Sequence, residues 1–271
     1  MRANTSILAS AIVAAFSFSA IASESEATQV QDMSDPLAVY TQAGAGISDK
    51  GINVKVGQVY DTGNPDTMAM NILEVKGVAG EWLGWTGTGD RDNSIDSVRI
   101  RNFSVDKTNG RGSQIDVNYD VAQENLNASY SIIQALPAFG NLNLYPLAGL
   151  GLNVRNGEFP DYQNPDMDID IESRKIGYTI PGTYAVVGAY TKYALTDKIW
   201  LNYNPMWLTT ISGSKSYVEN AYGQGQSSIF TNEFAVSYQI TGRANVRYFA
   251  NWTQNQSYFE GDQRVEFNYQ L

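Results

Sequence analysis

The chain has 271 residues and a formal net charge of −10 at pH 7, with 43% hydrophobic side chains, 8 Pro, and neither His nor Cys. This composition is sufficient for a core and argues against a wholly disordered chain. The lack of Cys excludes disulfides, zinc–thiolate sites and thiol nucleophiles, and the lack of His excludes the commonest general base. The acidic charge argues against nucleic acid as a partner, since affinity for nucleic acid comes mainly from Lys and Arg.

The first 22 residues have the layout of an export signal. Arg2 gives a charged start, an apolar stretch runs from Ile7 to Phe18, and the small residues Ala20 and Ala22 precede a predicted cleavage point. The apolar stretch is shorter than the roughly 20 residues that a membrane-spanning helix needs. The sequence therefore predicts a signal peptide at 1–22 and an exported protein.

The remainder of the chain alternates between apolar and polar residues. In residues 141–155 the apolar residues from Leu142 to Val154 share one face, and the polar face has a single misfit, Leu147. A period of two over such a length predicts a β-strand, and a long one, because strands in soluble domains usually have about 5–6 residues. No later window holds the run of about 18 apolar residues that a transmembrane helix requires.

The same period recurs and predicts about twelve strands, with ten or fourteen as alternatives; bacterial barrels have an even number. Two stretches depart from it. Residues 68–85 mix Glu74 and Lys76 into an apolar run without a clean face, and a change of phase between Ile100 and Phe103 indicates a β-bulge. The predicted strands are 37–47, 52–60, 70–86, 95–107, 113–121, 124–136, 142–155, 183–195, 198–211, 229–240, 243–253 and 264–271.

Alternation alone fits two architectures. In a soluble secreted β-sandwich the apolar faces form the interior, whereas in a transmembrane barrel they face lipid and the polar faces line a lumen. The length of the strands favours the barrel, and so does the alternation of short turns with long connections at roughly 156–182, 212–228 and 254–263. Aromatic residues near strand ends, typical of interfacial girdles, favour it too. These are Tyr145, Tyr193, Trp200, Trp207, Trp252 and Tyr269.

With these features the chain resembles the porin-like outer-membrane β-barrel proteins of Gram-negative bacteria. The final strand, Val265–Leu271, alternates without fault, although Leu271 stands where such proteins typically end in an aromatic residue. The resemblance implies an all-β, antiparallel transmembrane barrel over 37–271, preceded by a periplasmic segment at 23–36. It also implies location in the outer membrane, contact with outer-membrane lipid, and the barrel-assembly machinery as a partner during biogenesis.

Two functions are compatible with such a barrel. The first is a small channel for passive diffusion of small hydrophilic solutes, and the second is a non-conducting structural or surface-recognition barrel that acts through acidic extracellular loops, above all 156–182. An enzyme is not expected, because known barrel enzymes resemble one another in relying on His, and no cofactor is predicted. The charged residues predicted to line the lumen are Lys55, Asp116, Asp120, Lys192, Glu233, Arg247 and Glu266.

One acidic stretch, residues 166–172, places four carboxylates on an extended segment. Oxygen ligands at this density could hold Ca²⁺. An EF-hand loop, however, would need Gly in place of Ile171 and Glu in place of Gly177. The sequence therefore favours a solvated outer loop, and no metal site is predicted.

Overall fold

The computed structural model describes residues 30–48, 50–80, 95–157, 159 and 177–271. Most of these residues lie in twelve β-strands, and a short helix, α1 (Lys215–Asn220), lies between β9 and β10. The strands are β1 (Gln42–Ser48), β2 (Gly51–Tyr60), β3 (Thr67–Val78), β4 (Ser97–Asp106), β5 (Arg111–Asp120), β6 (Asn125–Gln134), β7 (Leu142–Asn156), β8 (Tyr178–Ala194), β9 (Ile199–Gly213), β10 (Ser228–Thr241), β11 (Ala244–Thr253) and β12 (Asp262–Gln270).

The strands form one closed antiparallel barrel. Each strand pairs with its neighbours in sequence, and β1 pairs with β12 from Gln42 opposite Gln270 to Ser48 opposite Arg264. Closure leaves no strand edge with unpaired backbone groups, so the sheet needs no further partner. The prediction of a twelve-stranded antiparallel barrel is confirmed, and the alternative of a soluble sandwich is wrong.

The alternating pattern separates an apolar outer surface from the interior. In the described part of the chain, large apolar side chains on ten of the strands are more than a third exposed on the outside. Such a continuous apolar surface is what lipid requires and what soluble proteins avoid. Examples are Ile47, Val54, Ile100, Ile115, Ile132, Leu150, Val187, Trp207, Tyr238 and Phe267.

The two ends of the barrel differ. One end, here called the terminal rim, carries the start of β1, the end of β12 and the turns 61–66, 107–110, 135–141, 195–198 and 242–243. The other end, the loop rim, carries the longer connections 79–96, 157–177, 214–227 and 254–261, together with the short turns 49–50 and 121–124. Apart from these two turns, short and long connections segregate as expected.

Several local predictions are wrong. The first strand begins at Gln42 rather than at residue 37, and β3 spans Thr67–Val78 rather than 70–86. β4 has no bulge, because its pairing with β3 and β5 is continuous from Ser97 to Asp106; instead, Phe103 points into the barrel. The change of phase therefore marks apolar residues on the inner face, not an inserted residue.

Two members of the predicted aromatic girdle also point inward. Tyr145 and Trp200 are buried inside the barrel, whereas Tyr193, Trp207 and Tyr269 are exposed on its outside. The signal peptide at 1–22 and the acidic stretch 166–172 lie outside the described residues. No helix in the described ranges combines the length and the apolar character needed to cross a membrane.

Candidate functional site

The barrel interior carries a belt of charged side chains. Nζ of Lys55 on β2 lies 2.5 Å from Oε1 of Glu266 on β12. Between β4 and β5, Nε of Arg99 donates to Oδ1 of Asp116 at 2.8 Å, and its Nη2 donates to Oδ2, which makes a two-point pair. We call the charge belt the set of eight residues made up of these four and of four further residues on the inner face. The further four are Glu74, Lys76, Arg101 and Arg264.

Glu74 is the centre of the charge belt. Its carboxylate lies 3.5 Å from Lys76, 3.6 Å from Arg101 and 3.6 Å from Arg264, and it is almost fully buried. Arg264 is also 3.6 Å from Glu266. Within the described residues, the carboxylates of Glu74 and Glu266 are therefore shared by four cations of the belt: Lys55, Lys76, Arg101 and Arg264. This zone is locally positive in a chain whose net charge is −10.

An aromatic ring fixes two of the arginines. The guanidinium carbon of Arg264 lies 4.3 Å from the centroid of the Phe249 ring, and that of Arg247 lies 4.6 Å from it. Arg247 also donates to Oγ of Ser237 at 2.9 Å and to Oδ1 of Asn202 at 2.8 Å. The cation–π contact holds both guanidinium groups against the wall of the barrel, together with hydrogen bonds for Arg247 and the ion pairs with Glu74 and Glu266 for Arg264.

Six of the seven residues predicted for the lumen border cavities formed by the described residues inside the barrel: Lys55, Asp116, Lys192, Glu233, Arg247 and Glu266. The seventh, Asp120, ends β5 at the loop rim, where its Oδ1 accepts a hydrogen bond from the backbone N–H of Gln123. The predicted residues do not form one cluster, because Lys192 lies near the terminal rim and pairs there with Asp32. Whether these residues act on a passing solute stays a prediction.

Sequence reasoning missed five members of the charge belt: Glu74, Lys76, Arg99, Arg101 and Arg264. In β3 and β4 the inner face is charged toward the loop rim and apolar toward the terminal rim, so neither strand shows a simple alternation. The signal was present in the period of two: Arg99, Arg101 and Phe103 are two residues apart and share one face.

The described residues enclose three spaces along the barrel. A cavity of about 1080 Å³ opens toward the loop rim, a smaller one of about 170 Å³ lies below it, and a third of about 540 Å³ opens at the terminal rim. The first two meet at a constriction lined by Arg99, Arg101, Gln114, Tyr190, Asn204 and Glu233. Across this constriction the Tyr190 hydroxyl of β8 donates to Oε1 of Gln114 on β5 at 3.2 Å.

Residues 30–41 lie inside the terminal end of the barrel. Consecutive turns fold the segment: the Asp32 carboxylate accepts from the backbone N–H of Ser34, and the Asp35 carboxylate accepts from that of Leu37, both at 2.9 Å. Pro36 fixes the backbone between these turns and cannot donate to a strand ladder. The described part of the predicted periplasmic segment, 30–36, is thus folded into the barrel and contributes Met33, Ser34, Asp35 and Pro36 to the lining of the smallest cavity.

No three Asp or Glu side chains within the described ranges are grouped as a metal ion would require. The acidic stretch considered for Ca²⁺ is not among those residues. The chemistry of the interior is therefore that of fixed charges, amides and hydroxyls, which can attract, orient and hydrate a polar solute.

A closed antiparallel barrel with an apolar outer surface and a charged interior defines the class of outer-membrane, porin-like β-barrels. Among solved structures the chain is similar to the NanC porin, with a TM-score of 0.51, 7% sequence identity, and coverage of 85% of this chain and 100% of that one. At this identity the likeness shows the fold.

Two further solved structures match more weakly. The KdgM porin in complex with disordered oligogalacturonate has a TM-score of 0.46 and 9% identity, and the match covers 86% of this chain and 99% of that one. The translocator domain of the autotransporter NalP from Neisseria meningitidis has a TM-score of 0.45 and 11% identity, with 85% and 86% covered. No protein-family model matches the chain, and no curated protein matches its sequence.

Proposed function

We propose that this protein is an outer-membrane channel for passive diffusion of small hydrophilic solutes. The outer apolar surface contacts lipid. The terminal rim faces the periplasm and the loop rim faces the exterior, because barrels of this kind have short turns on the periplasmic side and longer loops on the outside. The alternating final strand presents the kind of segment that the barrel-assembly machinery of the outer membrane recognises in the proteins this chain resembles.

The observation that carries the proposal is the cavity of about 1080 Å³ that leads from the loop rim to the charge belt. A barrel of eight strands is just filled by its own side chains, and twelve strands enclose more space. Hydroxyl and amide side chains line the cavity above the belt, including Asn118, Asn127, Ser129 and Thr231. Such groups replace the water around a polar solute and let it pass between opposite charges.

The test is a conductance measurement on the folded mature chain in a planar lipid bilayer. We expect discrete single-channel steps whose reversal potential in a salt gradient depends on the charge belt. A shift in gel migration between heated and unheated samples in detergent verifies that the barrel is folded. Folded protein that gives no current, either as it stands or with residues 30–41 displaced, would contradict the proposal.

A non-conducting barrel is the second candidate function. The observation that favours it is the position of residues 30–41, which lie inside the lumen at the terminal rim. In this case surface recognition would depend on the connections at the loop rim, including 157–177. Removal of that connection should then abolish surface binding and leave the migration of the folded barrel unchanged.

A further inference from the structure

An apolar zone lies inside the barrel, on the wall nearest the terminal rim. We call this zone the docking groove. It consists of eight buried, inward-pointing side chains on β3, β4, β6, β7 and β8: Met70, Ile72, Phe103, Val105, Ile133, Tyr145, Leu147 and Val186. A lumen filled with water gives no reason for such a surface, because apolar side chains are stabilised by contact with one another and not by water. The residues that cover this surface are Leu37 and Val39, which are 7% and 3% exposed.

The same segment also makes polar contacts with β8, β10 and β11. Asp32 accepts a hydrogen bond from Nζ of Lys192 on β8 at 2.8 Å. Sδ of Met33 lies 3.4 Å from Nε2 of Gln239 and 3.6 Å from Nδ2 of Asn245, on β10 and β11. The segment therefore crosses the lumen from β10 and β11 to β3 and β4.

Its position separates two of the spaces inside the barrel. Met33 and Ser34 line both the cavity of about 170 Å³ below the charge belt and the cavity of about 540 Å³ at the terminal rim. A solute that has passed the constriction must therefore pass the segment to leave the barrel.

None of the residues 30–41, all of which the structure describes, belongs to a β-strand. Their turns are closed by hydrogen bonds within the segment, such as that from the backbone N–H of Ala38 to the carbonyl of Asp35 at 3.0 Å. The join to the sheet is at Thr41, whose carbonyl accepts from the backbone N–H of Leu271 and whose Oγ1 accepts from that of Val59. Withdrawal of the segment up to this point would break no hydrogen bond between strands.

From these contacts we infer that residues 30–41 are a separable plug, and that the docking groove is a binding site for this segment. One part of the inference rests on the proposed channel function, namely that the plug closes the periplasmic end of the lumen and that its release opens it. The binding of the peptide by the groove is a separate property and can be measured without any current.

The first experiment displaces the plug in the full mature chain. The double variant Leu37→Asp/Val39→Asp places two carboxylates against the docking groove, and Val30→Asp is the matched control because Val30 is 46% exposed. We expect a severalfold larger single-channel conductance for the double variant and no change for the control, with both folded by gel migration. A folded double variant with the conductance of the parent protein would overturn the assignment of the plug.

The second experiment returns the plug as a free peptide. A dye-labelled peptide with the sequence of residues 30–41 is added to the double variant, and a peptide with Asp at positions 37 and 39 is the control. We expect the first peptide to bind, measured by fluorescence anisotropy in detergent, and to reduce the current when added on the periplasmic side. The control peptide should do neither.

The outcomes separate the two proposals. If neither protein conducts but the peptide with the native sequence binds, the docking groove is supported and the channel function fails. If the double variant conducts and the native peptide neither binds nor blocks it, the channel is supported and the docking groove is overturned. Because the chain has no Cys, Met33→Cys/Asn245→Cys joined by a short thiol-specific cross-linker adds a reversible test. With a bis-methanethiosulfonate, which joins the two thiols through disulfide bonds, the link should hold the channel closed until a reductant cleaves those disulfides.

Discussion

Lys55 and Glu266, which form an ion pair of 2.5 Å, are joined across the inner face of β1, the strand that lies between theirs. The space for this crossing comes from two glycines of β1. A Cβ atom at Gly44 would lie 3.3 Å from Cε of Lys55, and one at Gly46 would lie 3.0 Å from Cα of Glu266. The pair therefore ties β2 to β12 at the seam where the first and last strands close the barrel.

Loss of one partner of this pair should weaken closure of the barrel. Among the described residues, Lys55→Met leaves Glu266, which is 3% exposed, with the longer ion pair to Arg264 alone. Removing one partner of a buried pair costs about 3–5 kcal/mol in soluble proteins, and water in the lumen should bring the loss to the lower end of that range. The measurement is the urea midpoint for loss of the folded form in gel migration.

The double variant Lys55→Met/Glu266→Met is the control for that experiment. It leaves no unpaired charge from the pair, so we expect it to recover most of the lost stability. If the double variant loses as much stability as the sum of the losses in Lys55→Met and in Glu266→Met, the ion pair itself does not couple the strands.

Neutralising a cation at the constriction should reduce the preference for anions over cations. Arg101 lines both cavities that meet there and forms an ion pair with Glu74 at 3.6 Å. A unit charge about 5 Å from a passing ion in water contributes about 0.8 kcal/mol, which favours an anion and opposes a cation, so Arg101→Gln should lower the anion-to-cation permeability ratio by about sixteenfold. The reversal potential in a KCl gradient measures this ratio.

Lys198→Gln is the matched control, since Lys198 lies in the turn between β8 and β9 at the terminal rim. It removes the same charge from the chain without changing the constriction. Equal shifts in reversal potential for both variants would mean that the total charge of the protein, and not the field at Arg101, sets the ratio.

Binding of the plug should weaken at low pH through Asp32. Burial raises the pKa of this carboxyl, but the hydrogen bonds from Lys192 and Ser34 outweigh burial and bring it below its ordinary value of 3.8. A carboxyl group whose pKa is lower in the bound peptide than in the free peptide stabilises binding at any pH above the pKa of the free peptide. That contribution is lost as the pH falls through the lowered pKa of the bound state. Affinity of the labelled peptide should therefore be constant from about pH 7 to about pH 5 and decrease below about pH 3.8.

The effect of Asp32 should be modest, because its side chain is 62% exposed and solvent screens the ion pair. A peptide carrying Asp32→Asn isolates it from the other carboxylates that titrate in the same range. If the native and Asn peptides lose affinity in parallel as the pH falls, Asp32 does not anchor the plug.

The sidedness of most strands follows from the period of two, whereas closure of the sheet is predicted from strand length, connection length and aromatic positions, and twelve is one of three strand counts considered. For example, Leu150 and Gly151 fall on the expected outer and inner faces, and pairing of β7 with β6 and β8 preserves that alternation. Lipid outside and water inside impose opposite polarity on adjacent residues, so this part of the fold is encoded locally.

The docking groove could not be predicted, because its polarity depends on a segment distant in sequence. Considered alone, Leu147 is a misfit on a polar face, Phe103 suggests a bulge, and residues 68–85 lack a clean face. In the structure Leu147, Phe103 and Ile72 belong to one apolar cluster with Leu37 and Val39. The packing of the plug thus accounts for apolar inner-face residues in all three stretches, whereas Glu74 and Lys76 of β3 belong to the charge belt.

The polarity of the outer surface can be tested at a position that faces lipid. Leu150 is 64% exposed on β7, far from both ends of the strand. An Arg at the bilayer midplane destabilises a transmembrane barrel by about 2–4 kcal/mol, whereas near an interface the cost is about 0–1 kcal/mol. Leu150→Arg should therefore lower the urea midpoint in lipid vesicles markedly. Gln58→Arg, at an exposed position near the terminal rim, should lower it little. Equal midpoints for the two variants would mean that the outer surface at Leu150 does not contact the hydrocarbon core.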